Sequence, residues 1–173
     1  MLEINNFGCD MVGGSTLDVS KKAILVVDDQ GSIRSVVNSY FKEMGFVNVF
    51  TAFDGKHALN LLSQHAIDVV ICDWQMPKMS GLDLLKLIRN HENTKQLPFI
   101  MMTSTSDMEN VKNAASFGVS DYLIKPFKPT QLGYKVVQLL GKSGHQAKRL
   151  PLGVEKMTSG DEEAIDLGDH IDD

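Results

Sequence analysis

The stretch Ala66-Ile-Asp-Val-Val-Ile-Cys-Asp73, running straight into Trp74-Gln-Met-Pro-Lys-Met-Ser-Gly81, decides the fold class. Its apolar residues are nearly continuous, far too few to span a bilayer, and bounded by turn-forming residues. That pattern predicts a strand over 67–72 buried on both faces. Asp73 then stands at the carboxyl end of the strand, the edge at which open α/β sheets hold their ligands. Leu82, Leu84, Leu85, Leu87 and Ile88 follow at helical spacing and predict a helix over 82–91.

The same alternation extends in both directions. A strand over 23–28 contains Ala23-Ile-Leu-Val-Val27 and ends in Asp28-Asp29. A helix over 32–44 follows, with Ile33, Val36, Val37, Tyr40, Phe41 and Met44 on one stripe and Gly45 to stop it. Next come a short strand, 47–51, and a helix, 56–64, entered through Asp54-Gly55. Beyond the central unit lie a strand over 98–103 closed by Thr103 and a helix from about 107 to 117 that stops at Gly118. A strand over 119–124 closed by Lys125-Pro126 and a helix at about 129–141 complete the series. Five such β/α units predict a parallel sheet with helices on both faces.

At 173 residues the chain suits one domain with a real core. No apolar run approaches the roughly 20 residues of a membrane helix, and the N-terminus does not read as a secretion signal. Cys9 and Cys72 give no disulfide framework, which fits a reducing cytoplasm. Charge is uneven. Residues 1–20 hold three acids and no Lys or Arg, residues 145–173 hold eight acids against three bases, and residues 21–144 hold fourteen bases against eleven acids. Residues 1–20 therefore read as a flexible leader, 21–144 as the folded domain, and 145–173 as an acidic, disordered tail. Such a tail cannot track a phosphate backbone, which argues against an appended nucleic-acid module. Within it, Ala164-Ile-Asp-Leu167 is either solvated tail or a short docking motif.

The strand ends bring together Asp28, Asp29, Asp73, Thr103 and Lys125. Each has a plain structural reading. Either of the first two acids can cap the following helix, Thr103 can simply end a strand, and Lys125 can be a surface lysine. Two adjacent acids serve capping poorly, because the second adds repulsion. A hard cation relieves that repulsion, and Mg²⁺ (or Mn²⁺) takes one or two carboxylates plus water and substrate phosphate. Asp73 is then the natural nucleophile, since carboxylates form acyl-phosphates. Lys125 and the Thr103 hydroxyl would supply charge and a hydrogen bond to phosphoryl oxygens. A cis Lys125–Pro126 bond would aim the ammonium inward. The five His residues show no ligand spacing, and the nine Met residues read as core filling.

The runs Ile24-Leu-Val-Val-Asp-Asp29, Cys72-Asp-Trp-Gln-Met-Pro-Lys-Met-Ser-Gly81, Met102-Thr103-Ser104 and Lys125-Pro126-Phe127 together resemble two-component response-regulator receiver domains, in the form found among chemotaxis regulators. The resemblance covers about residues 21–142. It implies a flavodoxin-like (βα)5 doubly wound sheet with strand order 2-1-3-4-5. It implies Asp73 as phosphoacceptor and Asp28 and Asp29 as the acidic pocket. Asp29, Asp73 and the Gln75 backbone carbonyl would contact Mg²⁺, Thr103 and Lys125 would contact the phosphoryl group, and Tyr122 would be an aromatic switch beside Thr103. The implied partners are a histidine kinase or histidine phosphotransfer protein, and a downstream protein on the face of the fourth helix, fifth strand and last helix. Gln75 and Thr105 depart from the chemotaxis pattern at positions flanking the hydrolytic water, which bears on phosphoryl lifetime.

Three functions compete at this point. The first is a signalling switch in the cytoplasm, chemotactic or otherwise, that is no enzyme beyond its own phosphorylation and dephosphorylation. The second is a relay domain passing the phosphoryl group onward to a histidine phosphotransfer protein. The third is a haloacid-dehalogenase-like phosphohydrolase, which needs an acid/base Asp two residues after the nucleophile; Gln75 occupies that position and cannot transfer a proton.

Overall fold

The apolar runs pair as five parallel strands. The structure, a computed structural model, describes residues 11, 12, 15–104, 115–142 and 146–151. Along the chain lie β1 (Ala23–Val27), α1 (Gly31–Glu43), β2 (Asn48–Ala52), α2 (Gly55–Gln64), β3 (Val69–Asp73), α3 (Gly81–Arg89), β4 (Phe99–Ser104), β5 (Asp121–Lys125) and α4 (Pro129–Lys142). The sheet order is β2-β1-β3-β4-β5, the 2-1-3-4-5 arrangement expected. The expected helix at about 107–117 falls mostly outside the described residues; its end appears as a 3₁₀ turn, Ala115–Phe117, closed by Gly118 at φ 82°.

Alternation within each strand feeds two separate cores, which is why the strands read as unbroken apolar runs. Leu25, Val27, Val70, Cys72, Phe99 and Met101 pack with Leu59, Leu62, Leu84, Leu85 and Ile88 of α2 and α3. Ile24, Val26, Val69, Ile71, Ile100 and Met102 pack with Val37, Phe41, Leu132, Val136 and Leu140 of α1 and α4. Each such side chain contributes roughly 1.5–3 kcal/mol by leaving water.

Gly45 ends α1 as the sequence predicts, in the left-handed region at φ 95°. Its N–H bonds the Lys42 carbonyl at 3.0 Å and that of Phe46 bonds the Phe41 carbonyl at 3.0 Å. The Phe41 and Phe46 rings meet edge-on across the turn, 5.4 Å apart.

Packing extends past the expected domain limits at both ends. A short antiparallel ribbon pairs Met11–Val12 with Ser15–Thr16, and Leu17 and Val19 pack on the α1/α4 core. Leu150, expected in a disordered tail, is buried in the α2/α3 core. Leu150 sits between Arg149 and Pro151 with no sustained helical or strand periodicity around it, so nothing in the local pattern marks it as core.

Candidate functional site

The Asp28 carboxylate, wholly buried at the end of β1, accepts the Gln30 N–H at 2.8 Å on one oxygen and the Lys125 ammonium at 2.8 Å on the other. Asp29 is exposed, so the two adjacent acids face different surroundings. Neither caps α1 through its side chain in the usual way; the cap position is Gln30, with no side-chain bond. Arg34, in the first turn of α1, donates to the backbone carbonyls of Asp28 and Asp29 at 2.6 and 3.1 Å, fixing the loop that presents them.

Asp73 is the last residue of β3, buried beside the same lysine, whose Nζ lies 3.1 Å from Asp73 Oδ1. The loop after it is pinned twice. The Trp74 N–H bonds the Met102 carbonyl at 2.8 Å, and the Gly81 N–H bonds the Trp74 carbonyl at 3.0 Å. Gly81 must be glycine: a Cβ there would lie 2.2 Å from the Asp73 carbonyl oxygen. Ser80 and Asp83 close a capping box that starts α3 directly behind this turn. Lys78 turns the loop with φ 69°, and the Met79 sulfur fills the place a Gly55 Cβ would take, 2.3 Å away.

Lys125 ends β5, and its peptide bond to Pro126 is cis. Thr103 is buried near the end of β4, where its hydroxyl donates to the Ser104 carbonyl at 3.2 Å. Tyr122 is half-buried against the α2/α3 core, and burial raises its phenol above the ordinary value. Gln75 is exposed on the loop after Asp73. Thr105 lies outside the described residues.

One oxygen from each of Asp28, Asp29 and Asp73 lies within 4.8 Å of the others. Burial raises the Asp73 pKa, repulsion from Asp28 and Asp29 adds to the rise, and Lys125 opposes it without cancelling it. Burial alone would lower the Lys125 pKa, but bonding to Asp28 and the charges of Asp73 and Asp28 carry it above the ordinary lysine value. Three hard oxygen donors converging on one edge, with Lys125 bonded to two of them, form a donor set suited to Mg²⁺.

The model of the "Response regulator receiver domain" family matches residues 24–138, which take in all five strands but for Ala23, and this cluster. The chain belongs to that family. The receiver is 42% identical over 113 residues to the chemotaxis protein CheY-3 of Vibrio cholerae, covering 65% of this chain and 87% of that one. It is 36% identical over 116 residues to the chemotaxis protein CheY of Pseudomonas aeruginosa, covering 67% and 94%. The solved chemotaxis response regulator CheY4 of Vibrio cholerae superposes with a TM-score of 0.64 at 32% identity, covering 68% of this chain and 98% of that one. The receiver is thus CheY-like, from a family of signalling proteins whose members bind Mg²⁺ at an acidic pocket. Among the described residues, no helix is long and apolar enough to cross a membrane.

The structure brings Asp28, Asp29, Asp73 and Lys125 together, with Thr103 on the same sheet edge. Sequence reasoning passed over Arg34 and Gly81. Arg34 had a signal: a basic residue in the first helical turn, where the dipole favours acids, needs a local acceptor. Gly81 reads only as a helix start, because its contact with Asp73 comes from the loop closing on itself.

Proposed function

We propose that this receiver accepts a phosphoryl group on Asp73 from the phosphohistidine of a histidine kinase, with Mg²⁺ (or Mn²⁺) held by Asp28, Asp29, Asp73 and the Gln75 carbonyl. The observation that carries this reading is the Lys125 ammonium lying between two carboxylates, 2.8 Å from Asp28 and 3.1 Å from Asp73. A lysine bound to both is placed to follow whichever oxygens carry the charge next.

The ionised Asp73 oxygen attacks phosphorus, the N–P bond of the donor breaks, and the electron pair leaves with the imidazole nitrogen. A cation held there would supply charge against the phosphoryl oxygens. Lys125 exchanges its contact with Asp73 for one with the phosphoryl group while Asp28 holds its other side. Thr103, whose hydroxyl now spends its proton on a neighbouring carbonyl, turns to the same group, and Tyr122 follows on the output face. Output is by protein contact through β5, α4 and the segment before β5, in the cytoplasm, in chemotaxis or a related response.

The donor has a surface to meet. A largely apolar groove of about 470 Å³ opens beside Lys125, lined by Ile33, Val36, Val37, Pro126, Phe127 and Pro129. Lys125 lines both this groove and the acid cluster, so a helix carrying phosphohistidine that seats here is brought to Asp73. A relay to a histidine phosphotransfer protein would use the same surface in reverse.

Intact-mass measurement after acetyl phosphate and Mg²⁺ should show one acid-stable, base-labile phosphoryl group on wild type and none on Asp73→Asn. Equal labelling of both would place the nucleophile elsewhere. Transfer profiles against purified kinases and phosphotransfer proteins separate switch from relay.

A further inference from the structure

The last described residues pack on the side of the sheet opposite the helix they follow. α4 packs on the α1 side of the sheet through Leu132, Val136 and Leu140. Eight residues after Lys142, Leu150 is buried in the opposite core, among the residues of α2 and α3, with 2% of its surface exposed. The chain therefore crosses from one face of the sheet to the other.

Two hydrogen bonds hold it there. The Leu150 N–H bonds the Leu62 carbonyl at 2.9 Å, in the last turn of α2, where the carbonyls have no partners within the helix. The Asn93 amide nitrogen donates to the Arg149 carbonyl at 3.2 Å, tying the same segment to the loop after α3. Lys148 and Arg149 before it and Pro151 after it are exposed, so among residues 146–151 Leu150 is the one buried in the core. In parallel β/α units the helix C-termini lie at the strand N-terminal edge. The contact is thus at the end of the molecule opposite Asp73.

We propose that residues 146–151 form a strap that bolts the C-terminal end of α2 to the loop after α3, carrying the folded receiver past α4 at least as far as Pro151. Its second consequence concerns the acidic extension. The residues after Pro151, with Asp161-Glu-Glu163 among them, start from the α2/α3 face at the end of the sheet away from the acid cluster. They do not start from α4. The strap is a fixed part of the fold, independent of what occupies the Asp73 pocket.

Full-length Leu150→Ala and Leu150→Asp test the strap, with Arg149→Ala as a control whose side chain is exposed. Removing a buried leucine should lower the thermal midpoint by roughly 5–15 °C. Leu150→Asp should lower it further, and Arg149→Ala should leave it unchanged. Hydrogen exchange should find the Leu150 amide protected in wild type and unprotected in both Leu150 variants. If Leu150→Asp does not fold, Leu150→Ala still gives the midpoint and the exchange. Below the variants' melting range, acetyl phosphate should label Leu150→Ala as it labels wild type. A wild-type Leu150 amide exchanging as fast as free chain, or unchanged midpoints in both Leu150 variants, would overturn the strap. Lost labelling in a folded Leu150→Ala would overturn its independence from the pocket.

Discussion

Asp73 is uncomfortable as a folded carboxylate, and that discomfort has a sign. Its pKa in the fold lies above the ordinary 3.8, so between the two values the folded state holds more proton than the unfolded one. Stability therefore falls as pH rises through that window, and the full penalty is present above it. Asp73→Asn, nearly the same shape without the charge, should unfold at higher denaturant than wild type at pH 7 without divalent cations. The gap should close as pH approaches 4. Millimolar Mg²⁺ should narrow or reverse it, because only wild type keeps all three acids. A wild type that stays the more stable at pH 7 in chelator would refute this. Gln75, two residues on, is the residue we propose to govern persistence of the label. An Asn-to-Gln difference adds bulk beside the attacking water without adding a base, so Gln75→Asn should shorten the phosphoryl half-life. Autodephosphorylation in Mg²⁺ without phosphatase measures it, and equal or longer retention by the variant would show that the side chain does not slow water.

Between β3 and α3 the decisive contacts are made by absent side chains. Gly81→Ala would push a methyl into the Asp73 carbonyl, a backbone atom with nowhere to go. Gly55→Ala would meet the Met79 side chain, which is flexible. The two changes should differ accordingly. Gly81→Ala should cost about 2 kcal/mol or more and weaken Mg²⁺ binding, whereas Gly55→Ala should cost less and recover when combined with Met79→Ala. Denaturant unfolding of the three proteins decides this. The same contrast explains what the sequence could and could not disclose. Strand runs such as Ala23–Val27 and the Leu-rich stripe of α3 are local patterns, legible without a structure, and so are acids placed directly after a strand. The Arg34 clamp on the β1–α1 loop, the Gly81 contact and the burial of Leu150 depend on what the fold brings opposite them. Leu17 and Leu150, outside the expected limits of 21 and 144, each join a core whose other members are remote in sequence.

Across the molecule, the excess acid at one end of the sheet is balanced, among the described residues, by Lys125. A divalent cation should do the same more effectively, binding the native cluster and not the unfolded chain. Millimolar MgCl₂ should raise the thermal midpoint of wild type and leave that of Asp29→Ala unchanged; an unmoved wild type would count against the cluster as a cation site. The sequence holds one tryptophan, and it is Trp74, next to Asp73, with its backbone tied to β4. Excited at the red edge of protein absorption, the whole receiver is therefore a single lamp, set one peptide bond from the carboxylate proposed to take the phosphoryl group. Its intensity and colour should register cation and phosphoryl occupancy in real time, without a label, while changes at the strap on the far edge leave it dark to their passing.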